Sequence, residues 1–117
     1  MRLALLYAES ARIETLASAL EVEGHHVHRY IDPRVLFREA QRESFDLFLL
    51  EWDARDARNT LRVLHSGPGM DCSVVFFNCR NDEGALAEVL GSGADDFIVG
   101  PVGVREVVAR VGAILRR

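Results

Sequence analysis

The chain has 117 residues, 49% apolar and 27% charged, the make-up of one soluble globular domain that can build a core without disulfides or metals. Fourteen basic against 18 acidic residues leave a net charge of −4, which argues against direct nucleic-acid binding, because that needs a basic face. No segment reaches the roughly 18 to 20 apolar residues of a membrane helix, and Met1-Arg2-Leu3 runs straight into a strand rather than a signal peptide. Cys72 and Cys79 form neither a CxxC pair nor an expected staple, so a reducing, cytoplasmic setting is expected.

Leu3-Ala4-Leu5-Leu6-Tyr7 predicts a first strand, and Ala8-Glu9-Ser10 leads into a helix that Ser10 can cap. That helix carries Ile13, Leu16, Ala17 and Leu20 at core spacing and stops at Gly24. His26 to Tyr30 is a short second strand. Asp32-Pro33 is a capping acid followed by proline at the first helical position, opening a helix with Val35, Leu36 and Ala40 on one face up to about Arg42. The stretch Asp46-Leu47-Phe48-Leu49-Leu50-Glu51-Trp52-Asp53 is apolar without alternation. At strand length this predicts a central parallel strand covered on both faces.

After an Asp53 to Asp56 loop, Leu61, Val63 and Leu64 mark a third helix that ends before Gly67-Pro68-Gly69. Ser73 to Asn78 is the fourth strand, and Arg80-Asn81-Asp82-Glu83 introduces a helix with Leu86, Val89 and Leu90, broken by Gly91-Ser92-Gly93. Asp96 to Val99 is the fifth strand. Gly100-Pro101 then leads to a last helix in which Val104, Val107, Val108, Val111, Ile114 and Leu115 follow a 3.6-residue period. Strands alternating with helices imply right-handed crossovers and a doubly wound α/β domain over residues 1–117, with strand order 2-1-3-4-5. The polar strand ends then gather at the carboxyl edge of the sheet, where ligands of such folds bind.

Other constellations read as structure. His25, His26 and His28 lack an acidic or thiolate companion nearby in sequence and belong to an exposed sheet edge. Cys79 reads as a packed thiol, Gly91-Ser92-Gly93 as a helix stop rather than a phosphate cradle, and no Ser, His and Asp set reads as catalytic.

Three stretches resemble the receiver domain of two-component response regulators, with its flavodoxin-like fold. Asp46 to Trp52 resembles the strand bearing the phosphoryl-accepting aspartate, Ser73 to Glu83 the fourth strand and its acidic loop, and Gly93-Ala94-Asp95-Asp96-Phe97 through Arg117 the fifth strand and final helix. The likeness is greatest to the branch whose effector is a winged-helix DNA-binding domain. It implies an acid pair for Mg²⁺, an acceptor aspartate, a hydroxyl and a lysine. These positions fall on Tyr7 and Ala8, Glu51, Asn78, and Gly100. Mg²⁺ prefers hard carboxylate and water oxygens, and phosphoryl transfer depends on positioning and charge neutralisation. The phosphorylation site is therefore expected to be degenerate, with no metal and no cofactor. Glu51 is either a stand-in for phosphoryl charge, with Arg55 or Arg80 as partner, or a polar strand end bonded to Tyr7, Asn78 or water.

Asp53, two residues past Glu51, shares its face if the strand continues and is then a possible alternative acceptor; otherwise it is a loop acid before helix three. Glu9, Glu51 and Asp53 could form a rearranged cation site. The resemblance further implies a cis bond at Gly100-Pro101, Phe97 at the aromatic switch position, and pairing of copies through helix four, strand five and helix five. Asp96 and Arg110 match one ion pair of that interface, and Glu106 and Arg117 each match half of another. Leu86 with Val89 and Val104 would supply an apolar patch; alternatively Asp96 and Arg110 bond within one subunit. The expectation is a non-enzymatic, phosphorylation-independent regulatory and dimerisation module that precedes a DNA-binding effector. The alternatives are a receiver still modified at Glu51 or Asp53 and a stand-alone adaptor that binds a kinase or another receiver.

Overall fold

The computed structural model describes residues 1–9, 11–66, 72–91, 93–100 and 103–117. Its elements are β1 (Arg2–Leu6), α1 (Glu14–Val22), β2 (His26–Tyr30), α2 (Pro33–Ala40), β3 (Leu47–Glu51), α3 (Ala57–Ser66), β4 (Ser73–Cys79), α4 (Glu83–Gly91), β5 (Asp96–Val99) and α5 (Val104–Leu115). The strands pair in parallel as one sheet of order β2-β1-β3-β4-β5. The order expected from the alternating pattern is the one found.

Every residue of β3 is buried because strands flank it on both sides and helices cover both faces. Successive side chains point to opposite faces, so the apolar run divides into two cores. Phe48 and Leu50 pack with Ala4, Leu6, Val74 and Phe76 beneath α2, α3 and α4, against Leu36, Leu61 and Val89. Leu47 and Leu49 pack with Leu3, Leu5, Val75 and Phe77 beneath α1 and α5, against Leu20, Val107 and Val111. The lack of alternation in the sequence is the direct result of this double burial.

The Asp32-Pro33 start is observed. Asp32 sits at the N-cap and accepts the Arg34 backbone N–H at 2.9 Å, with proline in the first turn. Side-chain hydrogen bonds from Arg34, then its backbone N–H, hold the Asp32 carboxyl down at about 2. That contribution is complete above the ordinary carboxylate value of 3.8 and fades as pH falls toward 2.

Several boundaries differ from expectation. α1 begins at Glu14 with Ile13 at its N-cap, so the helix start lies beyond Ser10, and Ser10 itself is outside the described residues. α2 ends at Ala40, not Arg42. Val35 and Val63 are exposed at 37% and 41%, because Leu36, Leu61 and Leu64 already fill the space above the sheet. The Gly67-Pro68-Gly69 stop, Ser92 and Pro101, and with it the expected cis bond after Gly100, also lie outside the described residues. Among the described residues no helix is long and apolar enough to cross a membrane.

This burial pattern separates two leucines. Leu50→Ala, at a fully buried position, is expected to lower stability in urea unfolding by about 2 to 5 kcal/mol. Leu90→Ala, at a position 59% exposed, should change it by no more than about 0.5 kcal/mol.

Candidate functional site

The carboxyl ends of β1, β3 and β4 converge on one side chain. Glu51 ends β3 with 6% exposure. Its Oε1 accepts the backbone N–H of Ala8 at 2.8 Å, and its Oε2 accepts the Asn78 side-chain amide at 3.1 Å. The carboxylate thus bridges the ends of β1 and β4, which flank β3 in the sheet. The expected bond from Asn78 is present; the other donor is the backbone of Ala8 rather than Tyr7.

Asn78 is held in an unusual backbone state. Its φ is +56°, the left-handed region that asparagine tolerates and β-branched residues avoid. The β4–β5 register is irregular between Phe76 and Cys79, as in a β-bulge. There the Gly100 N–H bonds the Cys79 carbonyl at 2.8 Å. A Cβ on Gly100 would lie 2.7 Å from Asn78 Cα and 2.8 Å from its Oδ1. Position 100 is therefore a close approach of backbone to backbone, and any side chain there forces Asn78 to move. A β-branched threonine at 78 or a lysine at 100, which the resemblance would set there, would each strain this local backbone.

Neither alternative acid site forms. β3 ends at Glu51, and Ala54 N–H turns back to the Glu51 carbonyl at 3.0 Å. Asp53 accordingly does not continue on Glu51's strand face; it is exposed and pairs with Arg80 at 3.7 Å. This also removes Arg80 as the partner expected for Glu51. Glu9 is exposed, and among the described residues no group of three His, Cys, Asp or Glu side chains is placed to hold a metal ion. The residues do not fit the Mg²⁺ that the family implies. Tyr7 and Ala8 bring no carboxylate, so Glu51 would be the one acid at these strand ends, short of the set of hard oxygen ligands that Mg²⁺ takes.

Phe97 is half-buried and packed against the core containing Trp52 and Phe76. Val89 is 1% exposed within that same core, so it cannot belong to a contact surface. Val104 packs into the core on the opposite face of the sheet, so the expected Leu86, Val89 and Val104 patch does not exist. Leu86, on α4, is half-buried against the core, and Leu90 is the exposed large apolar residue of that helix. Arg110 pairs with Asp96 at 3.4 Å and with Glu106 at 3.2 Å, all within one chain. Arg117 is exposed.

The histidines do not gather. His26 is exposed on β2, and His28 stacks edge-on against Phe45 with ring centroids 5.4 Å apart. His25 Nδ1 is buried without a hydrogen-bond partner, and desolvation, then the nearby amino terminus, lowers its pKa. Cys79 is buried, and desolvation pushes its thiol up to about 11, which keeps it protonated and unreactive at neutral pH.

Beside Glu51 lies a recess that no sequence pattern announced. It is about 160 Å³, lined by Glu51, Phe77 and Asn78 from the sheet, Ile13 and Leu16 from the α1 segment, and Val104 and Val107 from α5, with Arg12 also on its wall. The spacing of those residues reads as ordinary core, and only the tertiary fold brings Arg12 and Glu51 to one cavity.

The close approach at Gly100 gives a direct test. Gly100→Ala and Gly100→Lys are each expected to cost roughly 1 to 3 kcal/mol in urea unfolding, so restoring the family's lysine should weaken the domain.

The chain matches no family model. It is 31% identical over 119 residues to the transcriptional regulatory protein SrrA of Staphylococcus aureus, covering 97% of this chain and 47% of that protein. A two-component response regulator from Clostridium difficile superposes with a TM-score of 0.87 at 21% identity, covering 100% of this chain and 97% of that one. A structure described as a novel family of streptococcal redox sensors evolved from two-component response regulators gives a TM-score of 0.84 at 25% identity, covering 98% and 51%. The chain spans less than half the length of the curated relatives it matches. With the strand order, the helix arrangement and these sequence relatives together, the chain belongs to the response-regulator receiver domains.

Proposed function

We propose that this receiver is a regulatory module that works without aspartyl phosphorylation, is not an enzyme, and acts in the cytoplasm ahead of a winged-helix DNA-binding effector. The observation that carries the reading is the Glu51 carboxylate bonded to Ala8 N–H and the Asn78 amide, with Gly100 packed on Asn78 where the family has a lysine. Tyr7 and Ala8 offer no carboxylate to hold a metal and Gly100 offers no cation, and phosphoryl transfer depends on both. The transcriptional names of the relatives, and the fact that this chain spans under half their length, support an effector elsewhere in the whole protein. The net charge of −4 supports leaving DNA contact to that effector. The streptococcal relative is described as a redox sensor; Cys79 of this chain is buried, with its thiol pushed up to about 11, and gives no support to that role.

The same reading takes α4, β5 and α5 as the face where two copies pair. Exposed Leu90 and Val99 support it, replacing the buried Val89 as apolar contacts. The Asp96–Arg110 pair is already made within one chain, and exposed pairs contribute only about 0 to 1 kcal/mol each, so apolar burial must supply most of the association.

Two measurements test the proposal. Amide NMR during titration with Mg²⁺ and then beryllofluoride, a mimic of aspartyl phosphate, should leave Glu51, Asn78 and Gly100 unshifted; saturable shifts spreading to Phe97 and α4 would overturn phosphorylation independence. Sedimentation of the domain should show a dimer that Leu90→Glu converts to monomer without loss of helix content, whereas a monomer at every concentration would remove the pairing face.

A further inference from the structure

The recess beside Glu51 has a chemistry of its own. Its apolar walls come from Ile13 and Leu16 on one side and Val104 and Val107 on the other, with Phe77 from the sheet. At about 160 Å³ it has the size that accepts a benzene-sized group. Glu51 is 94% buried by its 6% exposure, yet both of its partners are neutral N–H donors. A carboxylate offers about four acceptor positions, and two are used. A buried charge held without a countercharge is costly, and among the described residues no cation contacts it.

Arg12 lines the same recess, is exposed, and has no ion-pair partner among the described residues. The recess therefore carries an acid, an arginine and apolar residues on its walls. A plain amine would meet repulsion from Arg12, and a plain carboxylic acid would meet repulsion from Glu51. A zwitterion satisfies both, with its ammonium on Glu51 and its carboxylate on the guanidinium, which is suited to bidentate recognition.

We propose that this recess binds a small zwitterion with an apolar body, of the apolar α-amino acid class, and that occupancy regulates the domain. The proposal rests on the reading of Glu51 as a site that takes no phosphoryl group. A bound ligand would touch α1, β3, β4 and α5 together, so it can bias how α5 sits on the sheet, and α5 is part of the face assigned to pairing.

The test uses the 117-residue chain with methyl NMR and three probes of matched shape: leucine, isopentylamine and 4-methylpentanoate. Leucine should give saturable shifts at Leu16, Val104 and Val107, with both single-charge probes roughly tenfold or more weaker, the effect of losing one charge-assisted contact. Glu51→Gln should weaken leucine binding by a similar factor, and Arg12→Ala, at an exposed position that does not endanger folding, should do the same. Absence of saturable leucine shifts up to its solubility limit, or equal binding by Glu51→Gln and the parent, would overturn the proposal. The beryllofluoride titration keeps the two readings apart: no response to either reagent defeats the ligand proposal alone, and a response to beryllofluoride defeats the phosphorylation-independent reading.

Discussion

Everything distinctive about this domain depends on where one buried carboxylate finds its hydrogen bonds. Glu51 ends the central strand, one methylene longer than the aspartate of its family, and reaches Ala8 on one side and Asn78 on the other. Asn78 takes a left-handed conformation at an irregularity in the β4–β5 pairing, and the chain returning from β5 passes so near that only glycine fits at position 100. A glutamate, an asparagine and a glycine that look like separate losses in the sequence form one interlocked arrangement. Glu51 bonds Asn78, and Asn78 leaves room only for glycine at position 100.

The fold beneath the site does not depend on the site's chemistry. Two apolar cores on opposite faces of the sheet hold β3 in place, and neither includes Glu51. With double burial of this kind, the strand ends can change while the scaffold persists, because the hydrophobic contribution scales with the apolar area buried. A receiver can thereby lose metal and phosphoryl chemistry and keep its shape, leaving the faces around α4, β5 and α5 and the recess beside Glu51 as places where information can enter or leave. Such a division of labour is consistent with function residing in sites placed on a widely reused fold.

Much of the architecture was legible in the sequence because unbroken apolar runs of strand length, bounded by polar and turn residues and alternating with helical patterns, read as central parallel strands. The β2 and β5 ranges and the Asp32-Pro33 helix start agree with the reading. Other points were not legible, for identifiable reasons. Helical spacing marks an apolar residue without saying whether the core has room for it, so Val35 and Val63 are exposed and Val89 is buried. α1 starts at Glu14, with Ile13 at its N-cap and buried in the core under α1, a tertiary contact that the local capping pattern does not show. At the site, the residue identities were readable, but a left-handed Asn78 pressed on Gly100 is a long-range contact that no local pattern encodes. The cavity uniting Arg12 with Glu51 is of the same kind.

The central claim is that the domain takes no phosphoryl group, and the most direct measurement is intact mass after incubation with acetyl phosphate and Mg²⁺. The account predicts an unchanged mass at every time point, with a typical receiver labelled alongside as the positive control. A phosphoryl adduct that disappears in Glu51→Gln or Asp53→Asn would contradict it.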